Sequence, residues 1–207
     1  MRIRVIPTVF CVLLASLVSQ CTADSFKNIK EQLAAAECVR FEFVSIIESD
    51  IFDQTDSCSG AAYIARDGRY RVKLGPDIYL YEGRFLYSYS EETNQVIIEK
   101  PDSGSAGSGT SDEISFIADL DEFYETYTVT PDIKYRLMRK GNRSANIPDS
   151  MIVFIDANAS RISRFEYFDI NGERNRILFL RQRMDSTCTS QVFEPVFPDS
   201  AERVKLF

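Results

Sequence analysis

The stretch that decides the fold is residues 60–89, GAAYIARDGRYRVKLGPDIYLYEGRFLYSY. Near its centre Tyr70, Val72 and Leu74 alternate with Arg69, Arg71 and Lys73, the two-residue period of a strand with one apolar and one solvated face. Ahead of it, Arg66-Asp67-Gly68-Arg69 is a tight hairpin signal, because Asp-Gly accepts the positive φ such turns need. Gly75-Pro76-Asp77 turns the chain again, and a turn at Glu82-Gly83 separates 78–81 from 85–89. Residues 96–99 close the meander. Strands this short, joined by turns this tight, pair antiparallel.

The same rhythm extends in both directions. Upstream, Val39, Phe41, Phe43, Ser45 and Ile47 form one row of a strand, and Arg40, Glu42, Val44, Ile46 and Glu48 the other. Residues 53–59 are turn-rich, and 60–65 read as a second strand. Before them Phe26, Ile29, Leu33 and Ala36 recur at helical spacing over 25–37. Downstream, 101–111 (PDSGSAGSGTS) is a Gly/Ser-rich loop. A helix is predicted behind it, with Thr110 and Glu113 at capping-box spacing. Ile114, Ile117, Leu120 and Tyr124 recur along it, flanked by Phe116 and Phe123. Strands then follow at 127–130, 134–139, 151–156, 162–168, 174–183 and 187–193. The count is about eleven strands and two helices with no βαβ unit, a mainly antiparallel β fold with helices (α+β). Neither half has a closed core of its own, so 24–207 is one domain.

An antiparallel sheet of this size must curl or split into layers. Two apolar helices can plug one open side of a curled sheet, whose concave face then carries Phe, Tyr, Val and Leu in quantity. That face is either a packed core or a cavity for an apolar ligand.

The first residues read as a targeting segment. Arg2 and Arg4 precede an apolar run over 5–18, and Cys21-Thr22-Ala23 places small residues ahead of a cut before Asp24. Removing the signal peptide, 1–23, leaves 184 residues. Cys21 allows a second reading, as a lipid-acceptor cysteine, although Gln20 sits where a small residue is wanted. Beyond it lie Cys38, Cys58 and Cys188, an odd number that permits one disulfide of unspecified pairing in an oxidising compartment.

Composition removes whole function classes. The 207 residues include no histidine, so no Ser-His-Asp or Cys-His apparatus and no His-ligated zinc is available. A net charge of −7 with no basic run offers little to a phosphate backbone, so nucleic acid is not expected as a partner. No nucleophile motif, phosphate loop or ligand spacing calls for catalysis, a cofactor or a metal.

In order and spacing these landmarks resemble the LolA family of lipoprotein carriers. The resemblance is carried by the first helix, the strand over 39–48, Gly60, Arg66 in its hairpin and Tyr70-Arg71-Val72. It continues through Glu82-Gly83 before Leu86-Tyr87-Ser88-Tyr89, Asn94-Gln95-Val96, Phe116-Ile117-Ala118 and Tyr135-Arg136-Leu137. Residues 165–172 and Val192-Phe193-Glu194-Pro195 complete it. The resemblance implies an incomplete, strongly curved eleven-stranded β-barrel with helices as a lid over an apolar cavity. It implies a monomeric periplasmic carrier that takes lipoprotein acyl chains from an inner-membrane releasing transporter to an outer-membrane acceptor. The lining would comprise Phe41, Phe43, Tyr70, Val72, Leu74, Leu86, Phe116 and Leu120, with Arg66 linking sheet to lid. Asp67 stands where the family usually has proline, and Val72 where it has a second aromatic. Two alternatives share the fold: a lipid-anchored outer-membrane acceptor, and an envelope-lipid-sensing regulator.

Overall fold

The computed structural model describes residues 24–49, 51, 53–100, 117, 120–141, 147–185 and 187–207. The signal segment, Cys21, the Gly/Ser loop and Phe116 lie outside them.

Helix α1 (Ser25–Ala35) is capped by Asp24, whose carboxylate accepts from the amides of Phe26 and Lys27. Strand β1 (Cys38–Ser49) then pairs along its whole length with β2 (Gln54–Ala65). The meander continues through β3 (Tyr70–Leu74), β4 (Asp77–Tyr81), β5 (Leu86–Ser90) and β6 (Gln95–Glu99). A single helical turn α2 (Leu120–Phe123) leads into β7 (Tyr124–Thr130), β8 (Lys134–Arg139), β9 (Ser150–Asp156), β10 (Arg161–Phe168) and β11 (Arg174–Asp185). After a 3-10 turn at Ser190–Phe193 the chain ends in β12 (Glu202–Lys205).

Among the described residues twelve strands form one open sheet in the order β12-β6-β5-β4-β3-β2-β1-β11-β10-β9-β8-β7. Eleven pair antiparallel; β12 lies parallel to β6. Inward side chains of both wings meet in one apolar cluster: Tyr70 and Leu86 from one wing, Leu137 and Val153 from the other, with Phe41 of central β1 between them. A flat sheet cannot bring those strands together, so the sheet is strongly curved, and α1 lies on its concave side with Phe26, Ile29 and Leu33 in the same cluster. Register shifts at Glu42/Phe43, Thr128/Thr130 and Ile162/Arg164 add the local twist that curvature requires.

The structure departs from the sequence-based expectation in four places. Among the described residues the last strand is 202–205 and not 187–193, where the chain makes a 3-10 turn at Ser190–Phe193. Both edges of β1 are already taken by β2 and β11, and the segment after β11 crosses to the far wing instead. Strand β2 starts at Gln54, not at 60: Thr55 and Gln54 pair with Glu48 and Ser49, and the long backbone of β1 overrides the turn-forming character of that segment. Tyr124 is the first residue of β7 rather than part of a helical face, opposite Arg139 and with its hydroxyl donating to the Pro148 carbonyl (2.9 Å). Finally, Arg69 and Arg71 are not a bare solvated row.

The last point follows from a second apolar layer on the convex face. Phe193, Phe197 and Ala201 of the C-terminal segment pack on Ala65, Leu80, Tyr89, Val96 and Ile98. Arg69 stacks on the Phe193 ring (4.8 Å), and Arg71 donates to the carbonyls of Val192 and Glu194 (3.5 and 3.3 Å). Burial under that segment pulls the Arg71 guanidinium below its usual range. Lys73 alone of the three is exposed. A Cys38–Cys188 disulfide ties this cover to the start of β1 across 150 residues, and Cys58 is free.

Candidate functional site

The concave face gathers the apolar residues singled out from the sequence. Phe41 and Phe43 (β1), Tyr70 and Val72 (β3), Leu86 (β5) and Leu120 (α2) are all buried in the one concave cluster, and Leu74 packs half-buried against it. Alternation explains this locally: in each strand the odd or even row that is apolar in sequence is the row that turns inward. Phe41 and Phe165 flank the Phe179 ring at 5.0 and 5.2 Å, and Tyr70 meets Tyr81 at 5.8 Å. Gly60 is required beside Phe43. A Cβ there would lie 2.3 Å from the Phe43 ring and 2.9 Å from the Lys73 carbonyl oxygen, so only glycine lets that ring lie over β2.

The other wing supplies as much of this face, and the sequence-based list omits it. Tyr135, Leu137, Met151, Val153, Ile162, Phe165 and Phe179 are buried in the same layer. The signal was present as alternation in β8 to β11; what was missing was knowledge that this wing folds onto the first.

Helix α1 roofs the layer and is held by polar tethers along its length. At its N-terminus Asp24 accepts from the Tyr135 hydroxyl (2.8 Å), and the Ser25 amide donates to Asp132 (3.2 Å). Burial, and then donation to Asp24, pushes the Tyr135 hydroxyl up to about 12. Midway, Lys30 pairs with Asp121 of α2 and donates to Thr126 (3.2 Å), with its ammonium 5.2 Å from the Phe26 ring centre. Just past its C-terminus, Glu37 pairs with Arg66 of the β2–β3 hairpin (2.9 Å), and the Arg66 amide donates to the Glu37 carbonyl (3.1 Å). Arg66 thus joins the hairpin to the end of α1 through a carboxylate, with both side chains more than half exposed (59% and 52%). Asp67 does not engage it: Asp67 accepts from the amide and guanidinium of Arg69, which holds its carboxyl below the usual range.

An open polar groove of about 340 Å³ runs along the solvent side of α1 between Asn28, Gln32 and Ser160, away from the apolar layer. Among the described residues no helix is long and apolar enough to cross a membrane.

No protein-family model and no curated protein matches the chain. Solved structures do. An uncharacterized conserved protein from Thermus thermophilus is 13% identical over 88% of this chain and 99% of its own, with a TM-score of 0.51. A DUF1329 family protein from Desulfovibrio piger is 14% identical over 83% of this chain and 96% of its own, with a TM-score of 0.49. A LolA superfamily protein from Nitrosomonas europaea is 9% identical over 81% of this chain and 96% of its own, with a TM-score of 0.44. The first similarity is one of fold. What is shared is an open, curved, mostly antiparallel sheet with a helix on its concave face.

Proposed function

We propose that the chain is a periplasmic carrier whose concave face takes the acyl chains of lipoproteins and shuttles them from an inner-membrane releasing transporter to an outer-membrane acceptor. It binds rather than catalyses. The observation that carries this reading is the continuous apolar layer built by both wings of the sheet and roofed by one amphipathic helix on polar tethers. Phe26, Ile29 and Leu33 occupy the position that an acyl chain would take, so loading is an exchange of one apolar occupant for another. Burying a methylene contributes about 0.8 kcal/mol, and several long chains would give tens of kcal/mol if the face were otherwise wet. Displacing α1 cancels much of that sum, which leaves cargo bound yet releasable.

In this reading Phe41, Phe43, Tyr70, Val72, Leu74, Leu86 and Leu120 line the loaded cavity, and Arg66 stabilises the closed, empty form. The test is calorimetric titration of the mature chain with a synthetic triacylated lipopeptide and with the same peptide unacylated. Saturable binding of the acylated form alone is expected. A folded protein that ignores both peptides overturns the reading. Mass spectrometry of the mature N-terminus separates a free carrier, beginning at Asp24, from an anchored acceptor, beginning at an acylated Cys21.

A further inference from the structure

The convex face of the sheet is finished on one half only. Over β2 to β6 the C-terminal segment covers it, with Phe193 and Phe197 in the second apolar layer. Over β1 and β8 to β11 no apolar segment covers it among the described residues. The outward rows of those five strands carry nine cations and five carboxylates, a net +4 in a chain of net −7. We propose that this half docks an extended, acidic segment of a partner protein, laid across the strands as the chain's own C-terminal segment is laid across the other half.

The covered half shows how convex-face guanidinium groups are used in this fold. Arg69 stacks on an aromatic ring of the overlying segment, and Arg71 donates to two of its carbonyls. The other half repeats those elements, with no overlying segment among the described residues. One cross-strand row runs Val44, Leu178, Arg164, Phe154, Lys134, with Arg164 and Lys134 stacked on the Phe154 ring at 3.9 and 5.4 Å. The next runs Ile46, Arg176, Glu166, Ile152, Arg136. Glu48 and Glu166 already pair with Arg174, and Glu48 also with Arg176. Among the described residues Lys134, Arg136 and Arg183 pair with no carboxylate, and Arg136 and Arg183 are exposed. Exposed cations interleaved with half-buried apolar side chains suit a protein segment that brings carboxylates and apolar groups in alternation. The same face is a poor match for an anionic bilayer, since it is convex and five carboxylates sit among its cations.

The proposal is independent of acyl-chain binding, because it uses the opposite face. The probe is a labelled synthetic peptide repeating Glu-Phe-Glu-Ser, followed by fluorescence anisotropy at low and at physiological salt, with vesicles of phosphatidylglycerol as the comparison. The wild-type chain is expected to bind the peptide in a salt-dependent way. The double variant R136E/R183E should weaken it roughly tenfold or more. The control Arg203→Glu, on β12 at the far edge, should not. All three substitutions are on exposed side chains, and a thermal melt confirms that both variants fold. Failure of the wild type to bind the peptide, equal binding by R136E/R183E, or binding of the vesicles in place of the peptide each overturns the proposal.

Discussion

Phe26→Ala tests whether α1 is a cover that lifts on its own. Phe26 is fully buried in the first turn of α1, with its ring 4.6 Å from that of Tyr135. Truncating a buried Phe to Ala costs about 3–5 kcal/mol, and alanine's better helix propensity returns only a few tenths. The hydrogen bonds and ion pairs of α1 are kept and only the Lys30 contact with the Phe26 ring goes with the side chain, so the loss falls mainly on the packing of the helix against the sheet. If α1 opens while the sheet stays folded, about 3 kcal/mol makes that opening roughly a hundredfold more populated. Native-state hydrogen exchange reads this directly. Amides of α1 should exchange through an opening of lower free energy than those of β1 and β11, in wild type and variant alike. The closed state is the reference for both openings, so the diagnostic is the gap between helix and strand, not the strand rate. Uptake of a pyrene-labelled fatty acid should accelerate in step with α1 exchange. One shared opening free energy for α1 and β1 would refute the reasoning. So would an uptake rate that stays fixed while α1 exchange quickens.

Four further outcomes are expected. Cys188→Ser, which releases the C-terminal cover, should lower stability by about 2–5 kcal/mol; urea melts that match those of the oxidised wild type would exclude a structural role for the bridge. Tyr135 keeps its proton to about 12 in the folded chain against 10.0 ordinarily, so the unfolded chain loses the proton first and stability declines as pH rises between those values; Tyr135→Phe should remove that part of the alkaline slope in urea melts on either side of the window, and an unchanged slope would refute the assignment. Arg66→Leu deletes an exposed pair worth at most about 1 kcal/mol, so loading should be unchanged and transfer of a labelled lipoprotein to acceptor membranes should slow about fivefold at most; a faster transfer would mean the pair does not hold the closed form. Tyr70→Glu places a carboxylate in the concave layer, and binding of a triacylated lipopeptide should fall more than about tenfold while circular dichroism is kept; unimpaired binding would place the cargo elsewhere.

The elements were legible wherever local pattern and final pairing agree. The alternation of Tyr70, Val72 and Leu74, the Asp67-Gly68 turn with Gly68 at φ +88°, and the apolar stripe of α1 all appear where the pattern places them. Legibility ends where the deciding partner is far along the chain. Gln54-Thr55-Asp56-Ser57 has the composition of a turn and becomes strand only because β1 needs an edge. The C-terminal segment has no period that marks it as a cover; its place is set by Cys38, by Arg71 and by the parallel pairing of β12 with β6. The tether from Tyr135 to Asp24 spans 111 residues and joins a strand to a helix cap, a contact that neither segment announces. Phe41, Phe43, Tyr70, Val72 and Leu86 were legible as inward-facing, but half of the concave apolar layer was missed, since only the folded sheet shows that β8 to β11 share a face with β1 to β5.

Two apolar layers on opposite faces of one sheet have different consequences for motion. The convex layer is stapled by a disulfide and closed by Phe193 and Phe197, so the β2–β6 wing keeps its shape whatever lies on the other side. The concave layer is roofed by α1, and no tether of that helix is a covalent bond. Each exposed or half-exposed tether contributes about 1 kcal/mol or less. Burial of Phe26, Ile29 and Leu33 contributes about 1.5–3 kcal/mol apiece, so packing and not the polar contacts keeps the cover shut. An acyl chain competes for that same packing at about 0.8 kcal/mol per methylene. In the carrier reading, a few methylenes offset each helix side chain, and the balance between empty and loaded forms is set by small differences between large apolar terms. The tethers then matter beyond their size, because they exist only in the closed form and shift that balance toward release.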